Sequence, residues 1–151
     1  MITISAPTVV TAVTDNGWHY AHEPAETEQL ITRVLDTPAH HVSLFYVWDR
    51  PCRSWRSLDG EAFPDHSLRV AADPKSSVAA LSYHYYHHEL LDSYNPHTTE
   101  DTPPLLFDPE GDLWFPASAS LPLERVREAI TEYCRTGQRP TRVEWQPGQW
   151  Y

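Results

Sequence analysis

Apolar and polar positions repeat along this chain with two periods, one typical of helices and one typical of strands. Near the C-terminus the apolar residues recur at three- and four-residue spacing, which predicts a helix with one face on a sheet. These residues are Leu123, Val126, Ala129, Ile130 and Tyr133. Ser120 is the expected N-cap, Pro122 suits the first turn, and Gly137 supplies a left-handed stop. A last strand is expected at residues 142–145.

The N-terminal part predicts a hairpin followed by a helix. Residues 8–14 alternate Val and Thr as a strand does, and the Asp-Asn-Gly sequence at residues 15–17 is a tight-turn signal before a returning strand at residues 18–20. A second helical pattern opens at Pro24 and ends before Pro38, with acidic residues in its early turns, where the helix dipole favours them.

The central part predicts three strands. Residues 42–48 form a continuous apolar and aromatic run, which is expected at the centre of a sheet. Residues 67–72 and 77–85 are two further strands, separated by a short turn at residues 73–75. Residues 49–65 are expected to form a long connection or an irregular edge. The local basic cluster within them consists of Arg50, Arg53 and Arg56.

After Tyr86 the sequence becomes polar. Residues 87–104 are too poor in apolar side chains for a core element and are expected to form a surface loop. Residues 105–107 and 113–115 then pair across an Asp-Pro-Glu-Gly turn, in which Pro presets the turn and Gly111 accepts the positive φ.

This order of elements predicts an α+β fold. The simplest way to bury both apolar helix stripes is a mainly antiparallel sheet with the two helices packed on it. The chain has 151 residues, 40% of them hydrophobic, so a single domain over residues 1–151 is expected. A domain of that size buries about two-thirds of the surface of its unfolded chain.

The C-terminal third also carries a series of short motifs in a fixed order. They are the turn at residues 108–111, Phe115-Pro116, Leu121-Pro122, Thr136-Gly137, Arg139-Pro140 and Glu144-Trp145. Their order and spacing resemble immunity-protein family one of bacterial polymorphic toxin systems, with a weaker match at residues 15–20. The resemblance implies a protein that is made beside a secreted toxin and neutralises it. Many partner toxins of that family have a nucleic-acid deaminase fold, and others are nucleases.

The charge balance is acidic. The chain has 21 Asp and Glu against 11 Lys and Arg, a formal net charge of −10, which works against binding to nucleic acid or an anionic membrane. A negative net charge favours a basic partner. In many proteins, however, such a charge serves only to keep the protein soluble. An acidic adaptor for some other basic protein therefore stays open as an alternative function.

Cysteine content and the first residues bear on the compartment. Cys134 falls on or near the apolar face of the last helix, where a thiol acts as a small apolar group, and both it and Cys52 are expected to be reduced. The N-terminus lacks a basic region followed by an apolar one, and no run is long enough to span a membrane. We expect a cytoplasmic protein.

The polar stretch after the fifth predicted strand is the hypothetical partner-binding site. It combines aromatic and acidic side chains in a segment with no evident core role, which suits contact with a basic toxin. The predicted contact residues are Tyr86, Glu89, Asp92, Tyr94, Glu100 and Asp101. Glu144 is a further residue that could reach a partner, although Trp145 beside it is expected in the core. Trp150 and Tyr151 are either exposed aromatic surface or a docked tail.

A cluster of histidines suggests an alternative function, that of an enzyme. A small zinc-dependent hydrolase using His84, His88 and Glu89 is conceivable, because imidazole and carboxylate are common zinc ligands. Their spacing, with His87 and His97 nearby, matches no zinc-protease signature. The chain also has no phosphate loop and no nucleophile motif, and the pair His40-His41 suits a helix end better than a metal. We therefore expect no enzyme, no cofactor and no metal.

Overall fold

The computed structural model describes residues 8–38, 41–52, 63–86 and 88–148. Its strands are β1 (Val9–Thr14), β2 (Gly17–Ala21), β3 (Val42–Trp48), β4 (His66–Asp73), β5 (Val78–Tyr85), β6 (Glu89–Tyr94), β7 (Leu106–Asp108), β8 (Leu113–Trp114), β9 (Leu121–Pro122) and β10 (Glu144–Pro147). Its helices are α1 (Pro24–Leu35) and α2 (Leu123–Thr136), and a 3-10 turn spans Ala117–Ala119.

The strands form one large antiparallel sheet with the order β10-β6-β5-β4-β3-β1-β2. The short strand β9 pairs with β5, and β7 and β8 form a separate hairpin. Both helices pack on one face of the large sheet and against each other. The predicted α+β fold, with two helices on a mainly antiparallel sheet, is therefore confirmed.

The main core lies between the sheet and the helices. On α2 it takes the residues that the periodicity selects, including Val126, Ala129, Ile130 and Tyr133, all of which are fully buried. The phenol of Tyr133 lies 2.7 Å from Nδ1 of His66 on β4, so its hydroxyl keeps a partner inside the core.

The sequence predicted the C-terminal end of α2 correctly and its N-terminal end incorrectly. Gly137 ends the helix with φ of 69°, as predicted. Ser120 is not the N-cap, and that prediction is wrong. Leu121 and Pro122 first pair as β9 with β5, so the helix begins only at Leu123. The Ser120 hydroxyl is instead buried, without a hydrogen-bond partner among the described residues.

Two turns show where the left-handed backbone lies. The hairpin β1–β2 closes as predicted, with Thr14 opposite Gly17 at φ of 114°. In the β7–β8 hairpin the positive φ belongs to Asp112, at 52°, and not to Gly111 as expected. Asp is one of the few residues with a side chain that tolerates this region, because its carboxylate can bond locally.

The expected surface loop at residues 87–104 is wrong for its first half. Residues 89–94 form β6, which pairs with β5 on one side and with β10 on the other. Leu90 and Leu91 supply its apolar positions and are half-buried. The sequence predicted a loop because Glu89 and Asp92 interrupt the apolar pattern of this strand, and polar residues at such positions are typical of loops.

The C-terminal strand β10 covers this edge. Trp145 packs near Tyr83, with ring centroids 6.3 Å apart, and its indole N–H donates to the Pro140 carbonyl at 2.8 Å. Glu144 is exposed. The predicted division between a packed Trp and an outward Glu is confirmed, whereas Trp150 and Tyr151 lie outside the described residues.

Both cysteines are buried and unbonded to each other. Burial raises the pKa of the Cys52 thiol to about 11, and the Thr11 hydroxyl opposes that shift. Burial also raises the pKa of Cys134. In the basic cluster, Arg50 pairs with Asp49 at 2.8 Å, while Arg53 and Arg56 lie outside the described residues. Neither described helix is long and apolar enough to span a membrane.

Candidate functional site

The six predicted contact residues do not lie together on one loop. Tyr86 lies in the turn before β6, and Glu89, Asp92 and Tyr94 lie within β6. Glu100 and Asp101 lie in the loop that leads to β7. In a strand, neighbouring side chains point to opposite faces, so β6 separates residues that the loop hypothesis grouped. Each of the six therefore has to be considered in its own surroundings.

Tyr86 and Glu89 flank the turn between β5 and β6. The Tyr86 side chain is 57% exposed, and its backbone N–H donates to the Asp65 carbonyl at 2.7 Å. The Glu89 carboxylate accepts from the Arg139 guanidinium at 3.1 and 3.2 Å. Tyr86 thus presents aromatic surface, whereas Glu89 ties β6 to the segment that follows α2.

Asp92 is the least exposed of the six, at 5%. It lies on β6 directly opposite Ser82 of β5 and Gln146 of β10. One carboxylate oxygen, Oδ1, has no hydrogen-bond partner among the described residues. Burial raises the pKa of Asp92 to about 6, and a hydrogen bond from Ser82 only partly opposes it. The side chain is an inward charge rather than a surface one.

Glu100 and Asp101 lie in an exposed turn. The turn is closed by a bond from the Thr102 N–H to the Thr99 carbonyl at 3.1 Å. The carboxylates of Glu100 and Asp101 make no hydrogen bond or ion pair with a residue that the structure describes. They are free for a partner. Tyr94, at the end of β6, is half-buried and lines a separate cleft.

A longer segment of the chain contains acidic residues but no Lys or Arg. Between Lys75 and Arg125 the sequence has no Lys or Arg and eight Asp or Glu. Residues 76–124, the acidic segment, include β5 to β9. The absence of cations over so long a stretch was the sequence signal that could have located this surface. The prediction based on residues 86–101 alone used only part of it.

The β7–β8 hairpin is the part of the acidic segment that sequence reasoning did not select. Glu110 and Asp112 are exposed at its tip, and the Asp108 carboxylate accepts the Glu110 N–H at 3.0 Å. At its base the half-buried Arg69 donates to the Phe107 carbonyl at 2.7 Å and lies 4.6 Å from the centroid of the Phe107 ring. A cation beneath the hairpin therefore fixes it on the sheet face opposite the helices.

The electrostatics of this anchor are consistent with its burial. Burial lowers the pKa of Arg69, and the nearby Asp108 carboxylate opposes the shift by favouring the charged form. Phe107 and Phe115 meet edge to face at 5.1 Å and close a second, smaller core with Ala71 and Ala80. The hairpin is thus held by packing as well as by charge.

Exposed aromatic side chains occur beside the hairpin tip and, separately, on the edge strand β2. Trp114 follows the hairpin tip, is 40% exposed, and donates its indole N–H to Asp112 at 3.2 Å. Trp18 and Tyr20 are exposed on the edge strand β2, at 38% and 39%. Aromatic residues that remain exposed beside charged groups are common at protein–protein contacts.

The histidines of the zinc hypothesis do not converge with Glu89. His84 is on β5, His88 stacks on Tyr85 at 4.8 Å, and the Glu89 carboxylate is bound to Arg139. No group of three His, Cys, Asp or Glu suitable for a metal occurs within residues 8–38, 41–52, 63–86 and 88–148. His87 and His40 lie outside those ranges. His41 instead lies 3.2 Å from the Asp15 carboxylate.

The fold and its surface define an acidic α+β protein with exposed carboxylates and exposed aromatic side chains. Comparison with protein families identifies the class. The model of the family described as immunity protein Imm1 matches residues 16–147, nearly the whole chain, and this protein belongs to that family. A search of curated proteins finds no match. Membership implies a cognate toxin as partner and a role other than catalysis.

Proposed function

We propose that this protein binds a secreted bacterial toxin encoded beside it and neutralises that toxin in the cytoplasm of the producing cell or its kin. Membership of the Imm1 family carries the proposal. The toxin acts on nucleic acid, as a deaminase or a nuclease, and binding blocks its active site or substrate groove. The protein acts as a single domain, without a cofactor, and does not itself catalyse a reaction.

The distribution of charge supports this kind of partner. An enzyme that acts on a polyanion carries a cationic groove, and exposed carboxylates can occupy that groove in place of phosphates. Exposed carboxylates of the acidic segment meet this requirement, since Glu100, Asp101 and Glu110 have no cation partner among the described residues. Charge of one sign also accelerates association with an oppositely charged protein by about ten to a thousandfold.

The contact surface follows from exposure. Tyr86, Glu100 and Asp101 remain the contact residues of the original hypothesis, and Glu110 and Trp114 of the hairpin join them. Glu89 and Asp92 are left out of this contact surface, because one is paired with Arg139 and the other is buried.

Two charge variants with equal net charge test the surface. The first is Glu100→Gln, Asp101→Asn and Glu110→Gln; the second is Glu23→Gln, Asp36→Asn and Glu128→Gln, on the helices and their ends. Each removes three exposed carboxylates and brings the formal net charge from −10 to −7. Any difference between them therefore reports location and not total charge.

Calorimetric titration with a catalytically inactive form of the neighbouring gene's product gives the comparison. We expect the first variant to bind at least about tenfold more weakly than wild type, which is about 1.4 kcal/mol, and the second to change little. The deficit should shrink between about 0.05 M and about 0.5 M salt, where screening shortens the reach of charge. Equal weakening by both variants would refute the assignment to the acidic segment.

A further inference from the structure

A polar cleft of about 590 Å³ lies beside the end of β6, between the first turn of α2 and the segment that enters β10. Tyr94, His97, Arg125, Arg142 and Glu144 contribute its polar lining. Its size falls within the range of ordinary ligand sites, about 300 to 1,000 Å³. It is distinct from the acidic hairpin, because it brings together two of the chain's few cations.

Hydrogen bonds fix the walls of this cleft. On one side the Asn95 amide donates to the Ser120 carbonyl at 2.9 Å. On the other side the Glu132 carboxylate accepts the N–H groups of Thr141 and Arg142 at 2.9 to 3.2 Å. Such bonds to a charged acceptor are among the stronger ones in proteins. These bonds hold the backbone on both sides of the cleft in place.

Neither arginine of the cleft forms a close ion pair with a described carboxylate, and Arg142 has a longer-range interaction with Glu132 that helps to lower the pKa of that carboxyl. The Arg125 guanidinium donates to the backbone carbonyl of Arg142 at 3.4 Å, and neither guanidinium lies within 4.0 Å of a described carboxylate. The chain has 21 carboxylates, almost two for each cation. Among the lining residues Arg125 and Arg142 face one acidic residue, Glu144, while the Glu132 carboxylate in the wall offsets part of the charge of Arg142, so Arg125 is the less compensated of the two cations.

We propose that this cleft receives an acidic side chain of the toxin, held by Arg125 with Arg142. The inference rests on the proposed function and extends it. Guanidinium groups bind carboxylates through paired, planar hydrogen bonds, which set orientation as well as affinity. On a protein with a formal net charge of −10, a cleft with two arginines offers such a group a defined position, which fixes the register of the two proteins and selects among toxins.

The test compares two arginines on the same helix. Arg125→Gln removes a cation from the cleft, whereas Arg135→Gln removes an exposed cation from the last turn of α2, outside the cleft. Each changes the formal net charge from −10 to −11. Attraction between an acidic protein and a basic toxin predicts equal or tighter binding for both. The cleft predicts about tenfold weaker binding for Arg125→Gln alone, so the two accounts differ in sign.

Arg125→Lys and Arg142→Gln complete the series. Arg125→Lys keeps the charge and should recover part of the lost affinity, whereas Arg142→Gln should weaken binding as well. Arg142 also borders a smaller cleft with Glu28 and Glu128, so Arg125 is the more discriminating position. If wild type binds the toxin and Arg125→Gln binds as tightly as Arg135→Gln, the cleft proposal is overturned. If wild type does not bind, the proposed function itself fails.

Discussion

Replacing Asp92 by Asn should stabilise this protein at neutral pH, although it changes a buried residue in the middle of a strand. Asp92 is 5% exposed, and its Oδ1 atom has no hydrogen-bond partner among the described residues. An ionised carboxylate in that position loses hydration without full compensation. Asn keeps the shape of the side chain and removes the charge.

The magnitude follows from the pKa of Asp92, which burial raises from 3.8 to about 6. A rise of this size corresponds to a penalty of about 3 kcal/mol for the ionised form. Because the folded-state pKa lies above the unfolded value, wild type is most stable below pH 3.8 and loses that stability as the pH rises to about 6. Leaving the new amide imperfectly bonded costs about 1 kcal/mol, so the net gain above pH 7 is about 2 kcal/mol.

Urea unfolding of wild type and Asp92→Asn across this pH range measures the effect, with Asp101→Asn as the exposed control. The free energy of unfolding of Asp92→Asn should exceed that of wild type at pH 8, and the difference should vanish or reverse near pH 4. The control should follow wild type throughout. A variant that is less stable at pH 8, or a difference that does not change with pH, would contradict the argument.

Two further predictions concern the C-terminal region. Glu132→Gln should lower the free energy of unfolding by about 2 kcal/mol near neutral pH, because its carboxylate accepts the N–H groups of residues 141–142. Burial disfavours the charged form of Glu132, but the hydrogen bonds outweigh burial and lower the pKa of its carboxyl. The loss of stability should therefore fade as the pH falls through the carboxylate range. A loss that does not change with pH would contradict this prediction. Gly137→Ala should cost about 1 kcal/mol in thermal or urea unfolding, since φ is 69°, and Gly137→Asn should cost less. Equal stability of the Gly and Ala forms would contradict this explanation.

Strong local signals predicted most of the fold. The turn before Gly17, the apolar stripe of α2 and the stop at Gly137 each depend on a few neighbouring residues, so sequence alone was sufficient for them. β6 was missed because Glu89 and Asp92 interrupt its apolar pattern and because one of its two neighbouring strands, β10, is distant in sequence. The start of α2 was misplaced for the same reason, since pairing with β5 is a tertiary contact.

The candidate site was harder to predict than the fold. Residue type indicated an acidic and aromatic surface, but only the structure separates the buried Asp92 from the exposed Glu100. The hairpin tip at Glu110 and the cleft at Arg125 depend on how distant segments meet. Periodicity carries no information about such meetings, so the sequence could suggest the type of partner better than the residues that contact it.

The most direct test of the immunity role is inhibition of the neighbouring gene's toxin. Purified toxin is assayed on single- and double-stranded nucleic acid for deamination and cleavage while this protein is added in increasing amounts. The account predicts that activity falls to zero at a molar ratio of about one, as expected for tight binding of a single partner. Full toxin activity at a large excess of this protein would contradict the account.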